Sequence, residues 1–135
     1  MNFKRSLEEI ALQERVKAFM SGQDVTNLGI GELGGDMWVA STFVNLPEEK
    51  QARLDAFVKK LVDRGWWVMH WPIEFGGKDI PRSTWLAYVE AMAYHGAPVS
   101  SPGYQAVLIM NHGSKWQKEF FLPKNQEPPV NRLVV

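Results

Sequence analysis

Apolar residues recur along this chain in helical blocks, separated by stretches without a period. The clearest block runs over 45–65, where Leu54, Phe57, Val58, Leu61 and Val62 follow the i, i+3, i+4, i+7, i+8 spacing of one buried helix face. Asn45 with Glu48 forms a capping box and Pro47 is tolerated in the first turn. Glu48 and Glu49 complement the positive end of the helix dipole, Lys59, Lys60 and Arg64 the negative end, and Gly65 ends the helix. An earlier block, 6–20, opens with Ser6 and Glu9 in capping-box spacing. At about 100° per residue, Leu12, Val16, Phe19 and Met20 lie on one side of it, and Leu7, Ile10, Ala11 and Ala18 on another. A helix apolar on two sides calls for two neighbours.

A third block starts at Asp79-Ile80-Pro81, presents Trp85, Tyr88, Val89, Met92 and Ala93, and closes at His95-Gly96. Ala87 and Ala91 make its other side thin enough for a neighbouring backbone to approach. Beyond Pro98, Ser101 caps a short apolar segment, Pro102–His112, stopped by Gly113. Val107–Met110 alone is compatible with a buried strand, but the Pro start and the Asn-His-Gly end favour a buried helix. Ser114 with Gln117 opens the last block, which leads through Trp116, Phe120 and Phe121 to Leu122-Pro123. The expected fold is therefore all-α, an orthogonal-type bundle of about five to six helices.

The stretch Gly65–Gly77, between the second and third blocks, holds three of the six tryptophans. It is too apolar for a solvated loop and too short and Pro-broken for a helix. It is expected to be an aromatic connector buried between two helices and turned back by Gly76-Gly77, where a positive φ costs least. Residues 21–46 are glycine-rich, with Met37–Val44 an apolar element of open type. The last twelve residues, 124–135, carry Pro128-Pro129 and no period, and read as tail.

At 135 residues with 45% hydrophobic and 22% charged positions, the chain suits one globular domain. Lys+Arg and Asp+Glu balance at 15 each, so no net field steers nucleic acid or an anionic membrane. The absence of cysteine removes disulfides, thiolate metal sites and Cys nucleophiles. No apolar run approaches the roughly 18 residues of a membrane span, and the N-terminus lacks an apolar signal region, so a cytoplasmic domain is expected.

Candidate chemistry is sparse. Gly29-Ile-Gly31-Glu-Leu-Gly34 fits the spacing G-x-G-x-x-G, but no good strand precedes it and no βαβ alternation follows, which favours an ordinary glycine-rich connection. His70, His95 and His112 lack metal-ligand spacing, and no metal site is assigned. No serine sits in a G-x-S-x-G elbow. Glu74 is the one carboxylate set among aromatics, where desolvation would raise its pKa, yet an acid in a turn more often serves as a hydrogen-bond acceptor. No catalytic constellation is visible.

Segments spread along the chain, in the family's own order, resemble the N-terminal helical domain of the acyl-CoA dehydrogenase family. Trp71-Pro72-Ile73-Glu74-Phe75-Gly76-Gly77 resembles the family's P-x-E-[YF]-G-G turn, and Leu61–Trp66 the "L…G-W" approach to it. Glu8–Phe19 resembles the first helix, with its E-E-x-x-x-L-x-x-x-V-R-x-F pattern. Ala97-Pro98 and Asn111–Pro123 resemble the "A-P" and "H-G-[ST]-x-x-Q-K-x-x-[FY]-L-P" segments. The resemblance implies FAD-dependent α,β-desaturation of an acyl-CoA thioester, with a glutamate base taking the α-proton and the flavin accepting the β-hydride. It implies a helical wall of the acyl pocket in the Ser100–Met110 region, with Ser100, Ser101, Gly103, Tyr104 and Val107 as pocket residues and Trp71, Pro72, Glu74, Phe75, Gly76 and Gly77 as a structural turn. In family members a flavin-gripping β-domain and a base-carrying helical bundle follow the F-L-P segment, and Lys124–Pro129 does not resemble that entry. The expectation is a family domain over 1–123 and a non-family tail over 124–135. Such a truncated chain would not hold FAD alone, would depend on other dehydrogenase domains or subunits, and would be prone to self-association. A free-standing helical interaction module is the alternative.

Overall fold

The computed structural model describes residues 4–25, 28, 47–97, 104–124 and 126. Among them are five α-helices, one 3-10 turn and no strand. We number the helices α1 (Leu7–Met20), α2 (Glu48–Asp63), α3 (Arg82–Tyr94), α4 (Tyr104–His112) and α5 (Lys115–Lys124), with the 3-10 turn at Ile73–Phe75. The expected all-α bundle is what the chain forms.

The helix starts follow their local chemistry. At α1 the Glu9 amide donates to Ser6 Oγ at 3.1 Å, and the Ser6 amide donates to the Glu9 carboxylate at 3.0 Å, completing the capping box. Ser114 and Gln117 repeat the arrangement at α5, at 2.7 and 3.2 Å. The start of α2 differs from expectation. Pro47, not Asn45, occupies the cap position, no side chain caps the helix, and Glu48 is its first residue. Proline's fixed φ and missing N–H suit that boundary, and its carbonyl accepts the first helical bond from Gln51 at 3.0 Å. Asn45 itself lies outside the described residues. Gly65 and Gly96, with φ of +66° and +68°, end α2 and α3 as left-handed stops.

α1 and α3 form the main helix pair. Ala87, on the thin side of α3, is buried against α1, close enough for Gln13 Nε2 to donate to its carbonyl at 3.1 Å. Arg5 pairs with Glu90 at the edge of this contact. The Glu9 carboxyl is held below its usual range, first by a hydrogen bond from Ser83 on α3 and then by the Ser6 amide. α4 and α5 pack on each other, and Ala106, Met110 and Leu122 anchor them in the common core.

That core centres on the connector. Trp66, Trp67, Val68, Met69 and Trp71 are all buried, with Trp71 only 1% exposed. Rings link the elements in a circuit: Phe19 of α1 meets Phe57 of α2 at 6.0 Å and Trp66 edge-on at 5.5 Å, Trp66 meets Tyr88 of α3 at 5.9 Å, and Tyr88 stacks on Trp85 at 5.2 Å. Each such pair contributes about 0.5–1.5 kcal/mol beyond its area burial. Arg64 closes the edge with its guanidinium 4.3 Å above the Phe19 ring.

The connector turns back on itself through backbone bonds. Lys78 donates to the Met69 carbonyl at 3.0 Å and Asp79 to the Trp71 carbonyl at 2.9 Å. Gly76 sits at φ +87°, and a Cβ on Gly77 would lie 1.9 Å from the Trp71 carbonyl oxygen. Backbone meets backbone there, so no rotamer change relieves a side chain. Gly77→Ala is therefore expected to lose at least about 3 kcal/mol of stability. Gly22→Ala, whose Cβ would meet nothing closer than 3.9 Å, is expected to stay within about 0.5 kcal/mol. Urea unfolding of the two variants checks the contrast.

Candidate functional site

The two halves of the expected site fare differently. The turn residues Trp71, Pro72, Glu74, Phe75, Gly76 and Gly77 lie together at the end of the buried connector. Of the expected pocket residues, Ser100, Ser101 and Gly103 lie outside the described residues. Tyr104 opens α4, and Val107 is 46% exposed on it.

Some expectations need correction. Glu74 is exposed on the 3-10 turn and is not enclosed by aromatics, because the turn tips Ile73 and Glu74 outward while Trp71 points into the core. The desolvation argument for an acid–base role at Glu74 therefore fails. The segment 102–112 is helical from Tyr104, but it is not buried all round. Ala106 and Met110 face the core, whereas Leu108 is 54% exposed, since nothing among the described residues covers that side. Likewise α1 has one covered side: Leu7 is 86% exposed and Ala11 and Ala18 are open. The glycine motif at Gly29, Gly31 and Gly34, and the element Met37–Val44, lie outside the described residues.

His70 is the titratable group that the connector holds most closely. Its ring stacks on Trp85 at 3.9 Å and 26°, and burial lowers its pKa below the ordinary 6.5. Its Nδ1 and the neighbouring Trp71 Nε1 are buried without a hydrogen-bond partner among the described residues. Burial also pushes the Tyr88 phenol above its ordinary range. No group of three or more His, Asp or Glu side chains suited to a metal occurs among the described residues.

Two clefts open near the core. One, of about 220 Å³, lies between the end of α1 and α2, with Gly22, Gln23, Asp24, Arg53, Phe57 and Lys60 around it. The other, of about 140 Å³, lies between the C-terminal end of α2 and the turn, lined by Val62, Gly65, Trp67, Gly76, Lys78 and Gln126. Both are smaller than the roughly 300 Å³ at which drug-sized ligand pockets begin, so neither cleft by itself fits a flavin. No chemical step is assigned to them.

The connector, the turn and the helix that follows match known sequences. The sequence profile of the acyl-CoA dehydrogenase N-terminal domain matches residues 39–127. The chain belongs to the acyl-CoA dehydrogenase family. The acyl-CoA dehydrogenase FadE26 of Mycobacterium tuberculosis (strain ATCC 25618 / H37Rv) is 37% identical over 62 residues, which are 44% of this chain and 16% of that protein. A chain in the crystal structure of the ChsE4–ChsE5 complex from Mycobacterium tuberculosis superposes with a TM-score of 0.63 over 93% of this chain and 29% of that chain. Its 20% identity makes it a likeness of fold. This dehydrogenase-family chain thus spans less than a third of either relative's length.

Stability should report the state of His70. Its lowered pKa means the folded chain disfavours the proton, so the unfolded chain binds more protons as pH falls through about 6.5. Stability is then complete above that pH and declines below it. His70→Phe keeps a ring over Trp85 and removes the proton site, so its pH 5–7 stability profile should be flatter than that of the parent. Chemical denaturation at several pH values compares the two slopes.

Proposed function

We propose that this chain is the N-terminal helical part of an FAD-dependent acyl-CoA dehydrogenase acting in lipid metabolism, and that it supplies one wall of the acyl pocket without performing the chemistry alone. The profile match over 39–127 carries the proposal, because it spans the aromatic connector, the Gly76-Gly77 turn and α4 in one unbroken stretch. Under this reading Ser100, Ser101, Gly103, Tyr104 and Val107 face the acyl chain, and the turn braces α5, which packs on α4. The flavin grip and the α-proton base come from other dehydrogenase domains or subunits, and a cytoplasmic location is part of the proposal.

Two observations support division of the work. The two clefts described above measure about 220 and 140 Å³, and the one carboxylate in the turn is exposed. A purified 135-residue chain incubated with FAD is expected to lose the flavin on desalting and to show no acyl-CoA-dependent dye reduction. Stoichiometric flavin absorbance or turnover would overturn the proposal.

A second reading is a free-standing interaction module, and the outer face of α4 and α5 discriminates between the two. Leu108 on α4 and Trp116 on α5 are 54% and 61% exposed, and Trp116 stacks on Phe120 at 5.2 Å and 12°. If other dehydrogenase domains normally cover these residues, the isolated chain should self-associate or bind a hydrophobic dye. Light scattering after size exclusion is expected to show species above monomer, and Leu108→Ser with Trp116→Ser should shift them toward monomer. A compact monomer without dye binding would favour the module.

A further inference from the structure

Gln126 reaches back across the fold. Its Nε2 donates to the Phe75 carbonyl at 2.8 Å, 51 residues earlier in sequence, while its own amide donates to the Pro123 carbonyl at 3.1 Å. The Phe75 carbonyl is an end group of the 3-10 turn, one of the acceptors that a short helix leaves without an internal partner. The fit is close: a Cβ on Gly76 would lie 2.4 Å from Gln126 Oε1. A second contact joins the same two segments, since Lys118 Nζ of α5 lies 5.9 Å above the Phe75 ring. Gln126 also forms part of the lining of the 140 Å³ cleft, together with Gly76, Trp67 and Lys78.

We infer that Gln126 is a clasp, locking the exit of α5 onto the aromatic connector and forming one side of the cleft between the turn and α2. The clasp is separable from the packing of α5. Leu122, 2% exposed, anchors that helix in the core one turn earlier, so loss of the Gln126 contact frees the exit of α5 without releasing the helix. With the clasp open, the Phe75 carbonyl is available to another N–H donor, and the cleft beside Trp67 widens. The position of Gln126 is thereby coupled to the turn that fixes Trp71.

Limited trypsin digestion of the full chain tests this, because Lys78 and Lys124 flank the two clasped segments. Gln126→Ala removes the donor and acceptor, and Gln126→Glu keeps the length but not the donated N–H. Both variants are expected to be cut about fivefold faster after Lys78 and after Lys124 together, as suits one lost neutral hydrogen bond. Cleavage after Arg15 and Lys17 in α1 should keep its parental rate. Unchanged rates at Lys78 and Lys124 would overturn the clasp, and so would faster cleavage at α1 as well, which would mark general loosening. The outcome is independent of flavin binding or dehydrogenase activity.

Discussion

The carbonyl of Trp71 is where the fold is most tightly constrained. It accepts the Asp79 amide at 2.9 Å while the Gly77 backbone presses against it, at a distance no side-chain-bearing residue allows. Because the peptide is planar and its neighbours are already bonded, this point fixes where the connector turns and where α3 begins. The aromatic circuit depends on that turn. His70 and Trp66 reach Trp85 and Tyr88 only because the connector lies flat between α2 and α3. Phe19 then ties α1 to the same rings, and Ala106, Met110 and Leu122 bring α4 and α5 into the same apolar cluster.

For an acyl-CoA dehydrogenase-family chain this arrangement divides duties. The inner faces of the helices and the connector form one packed core, with its largest side chains buried. The outward faces of α1, α4 and α5 carry apolar residues without cover among the described residues. Apolar area left wet forgoes about 25 cal/mol per Å², so such faces are where a covering domain or partner contributes most. The buried polar atoms at His70 Nδ1 and Trp71 Nε1 sit on the inner side, where low dielectric makes an unpaired group costly.

Much of this was legible in the residues. Capping boxes at Ser6 and Ser114, the helix stops at Gly65 and Gly96, and the inner face of α2 follow from local chemistry that tertiary contacts do not override. The buried connector was legible because Trp, Pro and paired Gly together allow few backbones. Other features depend on what lies opposite in space. Glu74 reads as desolvated from its aromatic neighbours in sequence, but the 3-10 turn rotates it outward. The cap of α2 passes from Asn45 to Pro47 by a choice between two competent starts, which spacing alone does not make. Gln126 sits in a stretch without period, and a glutamine there gives no sign of the carbonyl 51 residues away. Of the expected pocket set, the residues at 100–103 lie outside the described residues, so the site is legible through the family resemblance more than through its own geometry.

Native-state amide hydrogen exchange of the full chain tests most directly whether the connector organises the fold. The amides of Trp66, Trp71, Lys78 and Asp79 donate within the connector or to α2 at 2.9–3.0 Å. They should exchange only through global unfolding, with the same opening free energy as the most protected amides of α2 and α3. Exchange of these four through local opening, at markedly lower free energy than the helices, would contradict the account.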